Sequence, residues 1–114
     1  MRWNKSLIAD WHRQTFVGCK AEQQRKKLCL ECREYFDAVK RGTYAEKLEE
    51  IADVYICAAS LYMRFNDYAA WFILRMIERR QKWPEISEAV DAKMDVNAAR
   101  RFACINGEWR HVEG

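Results

Sequence analysis

Proline and glycine are nearly missing from this sequence, with one proline and four glycines in 114 residues. So few chain breakers exclude a loop-rich or all-β design. The abundance of Ala, Glu, Lys, Arg, Leu and Met, with no period-two alternation long enough for a strand, predicts an all-α fold. Long hydrophobic runs are also lacking. The two most apolar stretches, 54–63 and 68–77, are broken by Arg64, Asp67 and Arg75 and reach about half of the roughly 20 residues that a membrane span needs. At the start, Ser6, Leu7, Ile8 and Ala9 are followed at once by Asp10, too short an apolar segment for a secretory leader, so a cytoplasmic location is expected. Charge of one sign is not in excess: 20 basic against 17 acidic residues give a net charge of +3. That excess is too small to imply a nucleic-acid polymer binder, which usually carries a concentrated basic face. The five cysteines are an odd number without an export signal, which predicts free thiols. Histidine is scarce, with only His12 and His111. Cys29 and Cys32 with Cys19 and His12 make an incomplete zinc set inside a helical pattern, and neither histidine lies near a cysteine in sequence to suggest a nucleophilic pair.

Apolar residues make up half of the chain and aromatics 13%, too hydrophobic for disorder. The expectation is one domain over 1–114. A fold of this size buries roughly two-thirds of the surface of its unfolded chain, a thin margin that self-association would widen. A first helix is predicted from Asn4 or Ser6 to Phe16, with Leu7, Ile8 and Trp11 inward and a stop near Gly18. A second is predicted over 21–41 with the stripe Leu28, Cys32, Tyr35, Phe36 and Val39, ended by Gly42. Thr43 can cap a third, whose stripe Leu48, Ile51, Tyr55, Ala58, Tyr62 and Phe65 keeps the helical period for five turns. Asn66 and Asp67 break or bend the chain before a helix over 68–80. Pro84 opens a last helix reaching about Phe102, and Asn106-Gly107 turns into an irregular tail.

The acidic residues form a pattern once the helices are drawn. Glu31 and Glu34 share one face of the second helix, and Glu50 and Asp53 share one face of the third. The midpoint of 31 and 53 is 42, as is that of 34 and 50, and residue 42 is the turn glycine. In an antiparallel hairpin closing there, Glu34 lies level with Glu50 and Glu31 with Asp53, across roughly 8–10 Å between axes. Four converging carboxylates repel one another unless a cation neutralises them. A hard divalent ion with oxygen ligands, Mg²⁺ or alternatively Mn²⁺, answers that need and brings phosphate ligands with it. Acidic residues are also common on solvated helix faces, as expected here for Glu22, Asp37, Glu46 and Glu49.

Glu31-x-x-Glu34, fifteen intervening residues and Glu50-x-x-Asp53 resemble the metal-binding signature of the MazG-like all-α nucleoside triphosphate pyrophosphohydrolases. The 11–16 segment, which contains Trp11, resembles that family's early tryptophan-containing helix. Lys27-Leu28 stands before the first acidic pair as in the family, and the 49–54 segment looks like its second acidic motif. Lys93, Asn97 and Arg100 or Arg101 are similar to its phosphate-binding run. One departure is Leu30, where many relatives carry a glutamate. Another is the 66–86 segment, longer and more apolar than in the smallest members. The resemblance implies a four-helix-bundle-like fold completed by a second or further copies, with hydrolysis between the α and β phosphates to nucleoside monophosphate and pyrophosphate in nucleotide-pool house-cleaning. Glu31, Glu34, Glu50 and Asp53 would hold Mg²⁺. Lys93, Asn97, Arg100 and Arg101 would hold the nucleotide, and Trp11 would line its pocket. On the last helix, an inward stripe through Ile86 and Val90 continues through Lys93, Asn97 and Arg100/Arg101, unless the core face rotates toward Met94 and Phe102.

Two other classes fit less of the sequence. A non-catalytic helical interaction module would use the apolar segment around Trp71 and predicts no turnover. A nucleic-acid binder using Lys20, Arg25, Lys26, Lys27, Arg79 and Arg80 predicts salt-sensitive binding indifferent to Mg²⁺.

Overall fold

The computed structural model describes residues 1–112. Its elements are α1 (Lys5–Thr15), α2 (Ala21–Arg41), α3 (Tyr44–Phe65), α4 (Tyr68–Glu78), α5 (Trp83–Ala99), β1 (Arg101–Ile105) and β2 (Glu108–Val112). The chain is therefore mostly helical, and no helix is long and apolar enough to cross a membrane.

The helix boundaries follow local chemistry. Asn4 caps α1 by accepting from the Leu7 amide at 2.8 Å. Thr43 caps α3 by accepting from Glu46, and Asp67 caps α4 by accepting from Ala70, each satisfying an amide without an intrahelical partner. Asn66, at φ 56, ends α3 in the left-handed conformation that asparagine tolerates. Pro84 sits in the first turn of α5, where its missing N–H costs nothing. Gly42 works differently from a left-handed stop, since its φ is −91. A Cβ there would lie 2.8 Å from the Ala38 carbonyl oxygen and 3.1 Å from its Cα, so glycine is required because a side chain would run into the last turn of α2.

Helix α3 is the axis of the molecule and packs against each of α1, α2, α4 and α5. From Ile51 to Leu61 every residue but Asp53 is buried, and with Ile8, Leu28, Leu74, Ile77, Ile86, Val90 and Met94 they form the core. Burying each Leu, Ile or Met here contributes roughly 1.5–3 kcal/mol.

Three expectations change. The inward face of α1 is Ile8, Ala9 and His12, with Leu7 and Trp11 only half-buried. On α2, Phe36 and Val39 are exposed while Gln24, Glu31 and Ala38 are buried beside Leu28. The helix has turned polar groups toward α3, where Gln24 donates to the Cys57 carbonyl oxygen and Glu31 meets the like charge of Asp53. The tail is an antiparallel hairpin with Phe102 opposite His111 and Cys104 opposite Trp109. Asn106 and Gly107 at φ 52 and 79 match the turn whose twist suits a two-residue hairpin. Phe102 and Trp109 pack edge-on against Phe16 at 5.0 and 5.4 Å. That packing draws the chain out of the helix at Ala99, before Phe102. The last two residues of the tail, Glu113 and Gly114, lie outside the described residues.

Candidate functional site

The α2–α3 hairpin brings the acidic pairs together at the heights set by its turn. One carboxylate oxygen from each of Glu31, Glu50 and Asp53 lies within 4.8 Å of the others. Glu34, on the exposed side, stands outside this trio, yet its charge is felt by Glu31, Glu50 and Asp53 alike. Glu34 and Glu50 also line an open cleft of about 330 Å³ that runs toward the turn past Asp37, Ala38, Arg41, Gly42 and Glu46.

Two lysines hold the ends of the trio. Lys27 Nζ is 3.2 Å from Glu31 Oε1, and Lys93 Nζ is 3.3 Å from Asp53 Oδ2. The Oε2 atoms of Glu31 and Glu50 are buried without a hydrogen-bond partner. Leaving a buried carboxylate oxygen unpaired is costly, so each such atom calls for a partner, an ordered water or an ion. Electrostatics agrees with geometry. Burial, opposed by Lys27 and reinforced by Asp53, pushes the Glu31 carboxyl above its usual range. Burial, then Asp53 and Glu34, does the same to Glu50. Asp53 is raised by burial despite Lys93 beside it. The three acids are held close against their own repulsion, which a divalent cation would reverse. An all-oxygen set of this kind fits a hard ion such as Mg²⁺ or Mn²⁺. Among the described residues, it is the group of three or more metal-capable side chains that converges.

The remaining sequence-derived site residues are placed unevenly. Lys93 reaches the trio from α5. Asn97 follows one turn later, half-buried, with its Nδ2 donating to Met94 Sδ at 3.9 Å. Ile86, Val90 and Met94 are all buried, so the core face spans both orientations expected of this helix, and Lys93 and Asn97 lie along its edge. Arg100 and Arg101 do not continue that face, because Arg100 is the extended cap of α5 and Arg101 opens β1. Trp11 packs edge-on against Phe16 and Phe102 at 5.4 and 6.1 Å, and the acidic cleft is lined by other residues. These contacts help to seat the hairpin. Arg41 is a cleft residue that the sequence did not single out, and Lys27, quoted there only within the resemblance and among the basic residues, was recognisable as the helical neighbour of Glu31 four residues on.

A second polar cluster lies deeper in the molecule. His12 Nε2 donates to Gln24 Oε1 at 3.1 Å, and Arg64 donates to His12 Nδ1 at 2.8 Å. Gln24 Nε2 donates in turn to the Cys57 carbonyl oxygen and Sγ, each at 3.2 Å. Burial, with Arg64 beside it, lowers the His12 pKa to about 4, so the ring is neutral. Burial above all holds the Cys57 thiol far above its ordinary value, making it unreactive. Each polar side chain in this cluster has a partner, which marks it as structural.

No protein-family model matches this chain, nor does any curated protein or any solved structure.

Proposed function

We propose that this chain catalyses the Mg²⁺-dependent hydrolysis of ribo- or deoxyribonucleoside triphosphates between the α and β phosphates. Mn²⁺ is the alternative ion, the products are nucleoside monophosphate and pyrophosphate, and the role is cytoplasmic nucleotide-pool house-cleaning. The reading rests on the MazG-like pattern of the four acids. The observation that carries it is the trio of Glu31, Glu50 and Asp53 within 4.8 Å, with two buried oxygens left without partners. Glu31, Glu50 and Asp53 would hold the ion, with Glu34 at the cleft side completing the set. When bound, the ion would polarise phosphate oxygens and lower the pKa of attacking water.

The chain's own groups supply the rest. Lys93 offers a point charge to the phosphates, and Asn97 a hydrogen-bond donor to sugar or phosphate. Arg100 or Arg101, beyond the end of α5, would neutralise charge on the phosphates with a bidentate fork. A carboxylate of the cleft would take the proton of the attacking water. The working assembly is a homodimer or homotetramer, for which the outer face of α4 offers apolar surface.

The test is pyrophosphate release from a panel of ribo- and deoxyribonucleoside triphosphates, with Mg²⁺ and with excess EDTA, the nucleotide product being scored by chromatography. Metal-dependent formation of monophosphate and pyrophosphate is expected. No turnover by folded, metal-supplied protein would overturn the proposal. It would favour the interaction module, for which the observation is the α4 stripe of Tyr68, Phe72 and Met76, exposed by 68%, 62% and 71%.

A further inference from the structure

Lys27 is a charged group beside the trio whose placement the proposed reaction does not use. It lies one helical turn before Glu31, with Nζ 3.2 Å from Glu31 Oε1. An ordinary solvated helix pair explains this poorly on two counts. Lysine preceding glutamate is the weaker order for a helix pair. The partner is also no surface group, since the Glu31 side chain is 9% exposed while that of Lys27 is 59% exposed. The ammonium thus stands on the water side of a buried carboxylate whose other oxygen has no partner. Lys93 repeats the arrangement at the far end of the trio, from a different helix, 3.3 Å from Asp53. Two ammoniums on α2 and α5 therefore flank three carboxylates, each engaging one outer acid.

Charge counting says what such a pair is for. A divalent cation among Glu31, Glu50 and Asp53 still leaves one negative charge in excess, an unfavourable surface for a polyphosphate, and Glu34 adds to the deficit. The two lysines turn the balance of the trio to one positive charge. Yet an ammonium in contact with a carboxylate oxygen competes with a metal for that oxygen. Both demands are met if the lysine moves, and a half-exposed side chain with four rotatable bonds can do so.

We propose that Lys27 is a mobile counter-cation of the acidic centre, pairing with Glu31 when no metal is bound and passing to the substrate's phosphates when the carboxylates take the ion. The inference rests on the metal reading above. It makes Lys27 a substrate-binding residue whose removal has opposite effects on metal and polyphosphate affinity. A purely structural ion pair would not behave in that way.

The test compares wild type, Lys27→Gln, Lys27→Arg and Glu50→Gln, each checked for helicity by circular dichroism. Mn²⁺ binding is followed by the paramagnetic resonance of the free ion. Binding of preformed Mg²⁺–tripolyphosphate to Mg²⁺-saturated protein is followed by calorimetry, which requires neither a known base nor turnover. Lys27→Gln should bind Mn²⁺ roughly fivefold more tightly, the scale of losing one partly screened neighbouring charge. It should bind Mg²⁺–tripolyphosphate roughly tenfold more weakly, as for a lost charged hydrogen bond, with Lys27→Arg restoring most of that binding. Unchanged or weaker Mn²⁺ binding in Lys27→Gln overturns the proposal, as does unchanged tripolyphosphate binding. If wild type binds no Mn²⁺, or Glu50→Gln binds it equally well, the metal reading has failed and the inference falls with it.

A second measurement on the unaltered protein does not depend on a variant folding. Trace acetylation by acetic anhydride, read by peptide mass spectrometry, should increase at Lys27 on adding Mn²⁺ and decrease again on adding Mg²⁺–tripolyphosphate. Reactivity unmoved by either addition overturns the proposal.

Discussion

Lowering the pH from 7.5 to 5 should destabilise the fold through one residue, His12. Its ring is 5% exposed, accepts from Arg64 and donates to Gln24, and has a pKa lowered from 6.5 to about 4. Burial is the larger cause and the Arg64 charge the second. The folded state thus binds the proton less readily than the unfolded chain. The resulting stability is complete above pH 6.5 and is lost as pH falls toward 4. The full loss is about 3 kcal/mol, and by pH 5 it amounts to about 2 kcal/mol. For a chain of this size that is about 8 °C in Tm. The assay is thermal unfolding by circular dichroism in EDTA at pH 7.5 and 5, for wild type and His12→Gln. Glutamine can still accept from Arg64 and donate to Gln24 but cannot be protonated. The buried carboxylates titrate in both proteins and cancel in the comparison. The wild-type Tm should fall about 8 °C further than that of the variant. Parallel shifts in the two proteins would refute the assignment of this pH dependence to His12.

The acidic trio predicts the opposite slope. Because Glu31, Glu50 and Asp53 are raised chiefly by burial, their contribution is present below the ordinary carboxylate range and lost as pH rises through their elevated values. The Tm gain from Mg²⁺ should therefore be larger at pH 7.5 than at 5.5 by thermal shift. Glu31→Gln should raise the Tm of metal-free protein at pH 7.5 and remove most of the Mg²⁺ gain, read by the same method. Leu61→Ala, at a position 1% exposed, should cost about 2–5 kcal/mol by urea denaturation. Gly107→Ala places a side chain at φ +79 with open space around it, so only backbone strain of about 1–2 kcal/mol is expected. Amide exchange should accelerate in β1 and β2 and stay unchanged in α3.

The helices were legible because their punctuation is local. Asn4, Thr43, Asn66, Asp67 and Pro84 act within a turn of where they stand, and each is found at the boundary its chemistry demands. The convergence of Glu31, Glu50 and Asp53 was legible for a similar reason, although Glu34 was expected with them and stands outside the trio. In a hairpin with a tight turn, register is arithmetic about one residue, and Gly42 is that residue. What depends on long-range packing was not legible. The hydrophobic stripe of α2 pointed to Phe36 and Val39, whereas the structure buries Gln24 and Glu31. A polar residue at a core position breaks the local rule, and such breaks concentrate at functional sites. The hairpin was missed because its strands have five residues each and gain their stability from Phe16 and Trp11, nearly the whole chain away. Only its Asn106-Gly107 turn was visible. Ending α5 at Ala99 also separated Arg100 and Arg101 from the face shared by Lys93 and Asn97.

The central claim is that the carboxylates of the α2–α3 hairpin hold a divalent ion that serves phosphoanhydride cleavage. The most direct measurement is pyrophosphate release by wild type and Glu50→Gln, side by side, from the best nucleotide of the panel, in Mg²⁺ and in EDTA. The account predicts turnover only by wild type in Mg²⁺, with both proteins equally helical. Equal rates for the two proteins, or wild-type turnover that persists in EDTA, would contradict it.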